Sequence, residues 1–348
     1  MQERRPANPL RVVQWATGNI GTRSLRSVIE HPDLVLVGVY VYDPDKVGVD
    51  AGRLCGLDDT GVVATAERDE ICALGADCVL YMPRLCDLAD VCALLSSGAN
   101  VVTTRGEFHR PASMPPDDRA RVEAACEQGG TSIHSTGSSP GFISEAVPLV
   151  LTSIQRRLDL LTIDEYADLS QRDSPELLFD LMGFGQPPGE IDPNRAEYLR
   201  HSFGPSLELV AEALSLPLDR VEAHGEVAAA RKRTEIAAGT LEAGTVAGQR
   251  TTVSGLRDGR PLLRFRATWF CTPDLDADWS LGPTGWHVSV EGDAPLEVDL
   301  VMPADRLAEI TPGYTAHRAV NLVPSVCAAA TGIRTSVDLP QVVATLGG

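Results

Sequence analysis

A carboxylate set just beyond a predicted strand is the group in this sequence with the clearest potential for chemistry. The β-rich run at 100–104 is followed by Glu107, between Gly106 and Phe108. A carboxylate at such a strand end can take up a proton or hold a cation; a solvated turn glutamate is the plain alternative. The second such feature is VVQWATGNIGTRSL at 12–25, where an apolar strand runs into Gly18 and Gly21 and then into a helical pattern with Leu25 and Ile29 on one face. A turn of this kind leaves the first helical N–H groups unpaired at the positive dipole end, where a pyrophosphate can sit. Glycine omits the Cβ that would block the phosphates and the approach of strand to helix. The G-x-G-x-x-G fingerprint is incomplete, because Ala16 holds its first position.

The next apolar run, 34–42, ends in Asp43, 22 residues past Gly21. That spacing suits an acid accepting from an adenosine ribose hydroxyl. Lys46 can equally pair with a ribose phosphate, and an ordinary turn at 43–46 is the alternative to both. Other chemistry is weakly represented. The eight cysteines (55, 72, 78, 86, 92, 126, 271 and 327) form no C-x-x-C pair, and the seven histidines show no H-x-x-x-H or H-x-x-E spacing. The cysteines read as small buried hydrophobes of a reducing compartment, and no metal is expected.

These residues must be positioned by a core, and 348 residues with 43% hydrophobic content suffice for two domains. Thirty Lys and Arg against 48 Asp and Glu give a net charge of −18, which argues against nucleic acid and against an anionic membrane. MQERRPANPL at the start has no apolar segment behind it, and no run approaches the ~18 to 20 apolar residues of a membrane span. A cytoplasmic protein is expected.

Over the first 150 residues short β-rich runs alternate with helical ones. Strands are predicted at 62–63, 77–82, 100–104 and 131–135, and helices at 67–74, 85–97 and 117–128. This alternation implies a mostly parallel sheet covered on both faces, with ligands beyond the carboxyl ends of the strands. Those ends are 17–21, 43–46, 82–84, 103–107 and 136–142. A helix is predicted at 145–157, a strand at 160–169, and helical segments at 195–201 and 207–214. A β-rich series follows at 223–230, 240–255, 261–271, 286–291 and 296–302, with turns at 257–259 and 291–293. Leu263, Phe265, Ala267 and Trp269 alternate with Arg264, Arg266 and Thr268, which predicts one apolar face on a mostly antiparallel sheet. The tail at 314–330 regains helical spacing.

The fold class is therefore α/β: a Rossmann-type parallel domain at 1–143, a second α+β domain with a mostly antiparallel mixed sheet at 144–310, and a C-terminal segment at 311–348 returning to the first. The second-domain sheet is a candidate homodimer surface. No repeats or flexible linkers are evident.

This order, with WATGNIG at 15–21, DPDKVGVDAG at 43–52, VVTTRGE at 101–107, TGSSPGF at 136–142 and HRAVNLVPSVCAA at 317–329, resembles the dihydrodipicolinate reductase superfamily. Within it the chain is similar to the branch of 2,4-diaminopentanoate dehydrogenase and the native amine dehydrogenases. The true reductases carry E-x-H-H-x-x-K-x-D-x-P-S-G-T, whose histidine is the acid and whose lysine holds the substrate carboxylate. Here the stretch from Glu165 reads EYADLSQRDSPELL, with Ala167 and Asp168 in place of the histidines and Gln171 in place of the lysine. Asp173 and Pro175 keep the register. Loss of both groups argues against tetrahydrodipicolinate formation.

The resemblance implies a catalytic role for Glu107, holding ammonium, taking up its proton and stabilising an iminium ion. It implies that Gly18, Asn19, Ile20 and Gly21 cradle the pyrophosphate of NAD(P)H, that Asp43 or Lys46 meets the adenosine ribose, and that Met82, Pro83, Thr103 and Thr104 line the nicotinamide end. Gly137 would close the site and Asn321 reach it from the tail. Ser139 stands where the family often has Asn. Phe142, Tyr166 and Phe184 are candidates for an apolar substrate wall or plain core. The expected function is interconversion of an amine with a ketone or aldehyde plus ammonia. Alternatives are an imine or carbonyl reductase of the same architecture and a non-catalytic NAD(P)H sensor. The choice between NADH and NADPH stays open, since Asp43 repels a 2′-phosphate and Lys46 attracts one.

Overall fold

The run LRVVQW forms the central strand of the first sheet because Val12, Val13 and Trp15 are all shielded completely from solvent. The structure, a computed structural model, describes residues 8–189 and 193–346; the opening stretch MQERRPA lies outside the described residues. They form two compact units, one of residues up to Phe142 together with those from Thr311 on, the other Ile143–Ile310.

In the first unit strands β1 (Leu10–Trp15), β2 (Leu34–Tyr40), β3 (Ala64–Thr65), β4 (Cys78–Tyr81), β5 (Asn100–Thr103) and β6 (Ser132–Ser135) pair in parallel in the order β3-β2-β1-β4-β5-β6, with Gly332–Arg334 added beside β6. The chain turns one way from β1 into β2 and the other way into β4, the switch point at which such sheets bind ligands. The register puts Trp15, Tyr40, Tyr81, Thr103 and Ser135 in one row. All five strand-end segments therefore leave the sheet along a single edge. Trp15 stacks on Tyr40 with centroids 3.7 Å apart, and its indole N–H donates to the Tyr42 hydroxyl at 2.9 Å.

Helix α1 (Asn19–Glu30) buries Leu25 and Val28 on one face of the sheet. Ala319, Val320, Leu322, Val323 and Val326 of the helix Leu307–Cys327 join the same apolar cluster. On the other face lie helices α2 (Leu88–Ser96) and α3 (Pro116–Gly129). Helix α2 starts later than its apolar pattern suggests. The Asp87 carboxylate accepts from the N–H groups of Ala89 and Asp90 and so fixes the first turn. The strand expected at 62–63 forms two residues on, and Val63 makes only an isolated bridge to Asp50.

The second unit carries β7 (Leu158–Asp168), β8 (Arg220–Ala229), the small hairpin β9 (Thr234–Ile236) and β10 (Gly239–Leu241), then β11 (Val246–Arg257), β12 (Arg260–Phe270), β13 (Gly285–Gly292) and β14 (Leu296–Val301). Six of these form a sheet in the order β14-β13-β7-β12-β11-β8, antiparallel at every pairing except β7–β12. The parallel first sheet and mostly antiparallel second sheet are those expected from the patterning. Leu263, Phe265 and Ala267 are buried, and Phe203 from the helix Pro193–Ala213 stacks on Phe265 at 3.7 Å. Trp269 is only partly buried. On the opposite face Thr268 is fully buried, its hydroxyl accepting from Arg250.

Three expectations change. The helix expected at 145–157 starts as expected, running through Glu145 and Ala146 into Val147–Thr152, but stops there, because the Asp293 carboxylate takes the N–H groups of Arg156 and Arg157 that a longer helix would have used. Two helices around Pro205 are one, Pro193–Ala213. The strand expected over 240–255 is split by a turn in which Gly244 sits at φ +80 and the Thr245 N–H donates to the Glu242 carbonyl.

Candidate functional site

The glycine turn combines one closed position and one open one. A Cβ on Gly21 would lie 2.1 Å from the Ala16 carbonyl oxygen, whereas one on Gly18 would meet nothing within 4 Å. Ala16, in the first glycine position of the fingerprint, takes φ +71, a conformation usually left to glycine. Its carbonyl accepts from the Gln14 amide at 2.9 Å and its N–H donates to Tyr40. Helix α1 opens at Gly18 with no side-chain cap and no acidic residue in its first turn. An uncapped, positively polarised helix start above open space fits a pyrophosphate.

Asp43 and Lys46 separate clearly. The Asp43 carboxylate caps its own turn, accepting from the Asp45 N–H at 3.1 Å. The Lys46 ammonium reaches across to the glycine turn, donating to the Thr17 carbonyl at 3.1 Å and the Thr17 hydroxyl at 3.3 Å. Arg23, one turn into α1, donates to the Asn19 carbonyl at 2.8 Å and also to its side-chain oxygen. His317 comes close by, pushed down from the usual imidazole range by burial and then by the Arg23 charge. Asn321 lies one helical turn beyond it and is half-buried.

Farther along the edge Met82 and Pro83 are buried. The Thr103 hydroxyl ties strands together, donating to the Tyr81 carbonyl at 2.7 Å and accepting from the Arg105 N–H at 3.1 Å; Thr104 is half-buried. Gly137 is buried where a Cβ would lie 2.8 Å from the Pro140 carbonyl oxygen. Ser138 bonds to the Thr315 hydroxyl through its N–H at 3.2 Å and its own hydroxyl at 2.8 Å, which links this loop to the C-terminal helix. Phe142 is half-buried under the Arg318 guanidinium, 5.5 Å from the ring centre.

Glu107 sits in the short helical turn Gly106–Phe108, anchored by the fully buried Phe108 ring. Its side chain is 42% exposed, and one oxygen accepts from Arg105 at 2.9 Å. Cys86 lies beside this pair, its thiol pushed up to about 12 by burial and then by the Glu107 charge. At pH 8 only about one Cys86 in 10,000 is then a thiolate. Iodoacetamide at pH 8, followed by peptide mass spectrometry, is expected to leave Cys86 unlabelled; rapid modification would contradict this environment.

In the second unit Tyr166 is buried against Gly282, where an added Cβ would come within 2.7 Å of the ring, and it lines an open depression with Asp164, Arg266 and His287. Phe184 has no exposure and lies in the core with Leu178 and Leu241. The residues matching the lost reductase motif are committed elsewhere: Glu165 accepts from the Trp286 indole at 2.8 Å and Asp168 from the Ser170 N–H at 2.9 Å. Among the described residues no group of three or more His, Cys, Asp or Glu converges as a metal site, and no helix is long and apolar enough to cross a membrane.

The first unit thus gathers Gly18, Asn19, Ile20, Gly21, Asp43, Lys46, Met82, Pro83, Thr103, Thr104, Glu107 and Gly137 along one sheet edge, with Asn321 on the helix that touches it. Sequence reasoning missed Arg23, although its partner Asn19 is only four residues away, and it missed His317 and Thr315, whose neighbours follow from packing. It also passed over Arg105, although this residue lies inside the motif VVTTRGE.

Comparison with known proteins gives concordant matches. Residues 199–348 match the family of 2,4-diaminopentanoate dehydrogenase C-terminal domains. An amine dehydrogenase from Streptomyces virginiae is 32% identical over 305 residues, covering 83% of this chain and 84% of that protein. The solved amine dehydrogenase from Mycobacterium smegmatis superposes with a TM-score of 0.74 over 98% of this chain and 99% of that one, at 18% identity. An oxidoreductase from Agrobacterium radiobacter, solved with NAD+, L-tartaric acid and magnesium, gives 0.53 over 95% and 92% at 9% identity, a likeness of fold.

Proposed function

The chain belongs to the amine dehydrogenase family of the dihydrodipicolinate reductase superfamily, and we propose that it interconverts an amine with a ketone or aldehyde plus ammonia. The observation that carries this reading is Glu107 at the end of β5, on the same sheet edge as the glycine turn. The residues at 167, 168 and 171 support it, since Ala, Asp and Gln leave no histidine pair and no carboxylate-binding lysine.

A nicotinamide coenzyme, when bound, supplies or accepts the hydride. The first N–H groups of α1 and the open space over Gly18 hold its pyrophosphate, and Met82, Pro83 and Thr104 line the path toward Glu107. Glu107 holds ammonium by charge, takes its proton as nitrogen adds to the carbonyl carbon, and returns a proton to the departing hydroxyl so that water leaves. The resulting iminium carbon accepts hydride while the carboxylate steadies the positive nitrogen. Assays of small ketones and aldehydes with NADH and NADPH, with and without ammonium, test this. Oxidation of the coenzyme only with ammonium supports reductive amination; equal oxidation without it overturns it in favour of a carbonyl reductase.

Lys46 touches the glycine turn and Asp43 does not, so Lys46 is the residue to meet a ribose phosphate. Lys46→Glu is expected to raise KM for NADPH about tenfold more than KM for NADH, the worth of one charge-assisted hydrogen bond. Equal shifts for both coenzymes would remove Lys46 from phosphate recognition.

We further read the protein as a cytoplasmic homodimer. All eight cysteines are free thiols, which suits a reducing compartment. The second-unit sheet offers, on the side away from Phe203, a surface of Arg264, Thr252, His287 and Glu297 able to pair with a second copy. Light scattering of the parent and of Arg264→Glu measures this; a parent of monomer mass overturns it.

A further inference from the structure

Glu107 is held by a neighbour that is itself held through its backbone and through a second guanidinium nitrogen. The Arg105 guanidinium donates through one nitrogen to the Arg84 carbonyl at 2.7 Å and through another to Glu107 at 2.9 Å. Its N–H donates to the Thr103 hydroxyl, and its carbonyl accepts from the Ser135 hydroxyl. Thr103 in turn bonds to the Tyr81 carbonyl. Groups at the ends of β4, β5 and β6 therefore all contribute to placing one guanidinium. An ordinary surface ion pair has two free side chains and little net worth; here the cation is fixed before it meets its anion. It is also more sheltered than its partner, at 28% exposure against 42%. The Cys86 thiol beside the pair is pushed up by burial and then by the Glu107 charge, so it adds no second anion to compete for the guanidinium.

Resting on the role proposed above for Glu107, we propose that Arg105 is the positioning residue for the catalytic carboxylate and the cation with which ammonium competes for it. Two consequences oppose each other. The guanidinium restricts Glu107 to one orientation, which favours turnover, because misplacing a catalytic group by about 1 Å can cost 100-fold. It also takes up part of the negative charge that an incoming ammonium uses, which weakens ammonium binding. A residue serving stability alone would have no reason to move kcat and the KM for ammonium in the direction of opposite effects.

The test compares Arg105→Ala, Arg105→Lys and Glu107→Gln in reductive amination at saturating NADPH, with NADPH affinity from fluorescence and thermal midpoints measured beside them. Arg105→Ala is expected to lower kcat about tenfold to 100-fold and to lower KM for ammonium severalfold, with NADPH affinity unchanged. Arg105→Lys is expected to recover most of the kcat and the higher KM. Unchanged kcat and KM in Arg105→Ala, or a raised KM for ammonium, overturns the proposal. So does a fall in every parameter together with the thermal midpoint. If Glu107→Gln is inactive while Arg105→Ala behaves as the parent, this proposal alone fails; full turnover in Glu107→Gln defeats the reading of Glu107 as well.

Discussion

Glu107→Gln is expected to lower the rate of reductive amination about 100-fold to 10,000-fold, the range that a positioned acid or base supplies. Glutamine keeps the shape of the side chain and can still accept from Arg105, but it neither holds ammonium by charge nor carries its proton. The thermal midpoint should move little, because the pair with Arg105 is partly exposed and such pairs contribute about 0 to 1 kcal/mol. NADPH affinity should be preserved, since the glycine turn and Lys46 lie at other strand ends. Stopped-flow turnover, fluorescence titration and a melting curve on one preparation separate these effects. Turnover within twofold of the parent would remove Glu107 from the chemistry.

The second large effect belongs to the glycine turn, where two substitutions should fail in different ways. Gly21→Ala places a Cβ 2.1 Å from the Ala16 carbonyl oxygen. That oxygen is backbone at the end of the central strand, so it cannot rotate away. Overpacking of this kind typically costs about 1–3 kcal/mol, and the thermal midpoint and coenzyme affinity should fall together. In Gly18→Val the added Cβ points into open space, with nothing within 4 Å, and Gly18 has extended backbone that any residue adopts, φ −76 and ψ −166. Its midpoint should stay put while NADPH affinity falls about 100-fold, the loss of roughly two charge-assisted hydrogen bonds. If Gly18→Val binds NADPH as the parent does, the pyrophosphate does not sit over this turn.

How much of this was legible in the sequence follows from the range over which each feature is determined. The turn at Gly18 and Gly21 and the five strand-end segments are set by local patterns, and they were readable. The alternation of strands with helices was enough for the parallel sheet, and Leu263, Phe265 and Ala267 for one face of the second. The left-handed conformation of Ala16 was not readable. It depends on Gln14, Tyr40 and Gly21 enclosing the residue in three dimensions, against the usual preference of alanine. The helical segments expected at 195–201 and 207–214 leave Pro205 between them, where local propensity disfavours a helix, yet Phe203 packs on Phe265 from one continuous helix. The strand Gly332–Arg334 is too short to produce a pattern, and its position is decided by β6. That Lys46, and not Asp43, reaches Thr17 follows from the fold of the 43–46 turn and is not written in the local pattern.

The first unit is closed by residues that the ribosome delivers well after the rest of it. The segment up to Phe142 emerges well before Ala319–Val326, which complete one of its two apolar layers, and before Gly332–Arg334, which covers the edge of β6. At about 5–20 residues per second, the intervening stretch takes roughly 10–40 s to synthesise. During that interval a nascent chain carries an uncovered greasy sheet surface and a bare strand margin, the hallmarks of a client for holding chaperones. Expression yield should therefore depend on translation speed and chaperone supply even where the finished protein is stable.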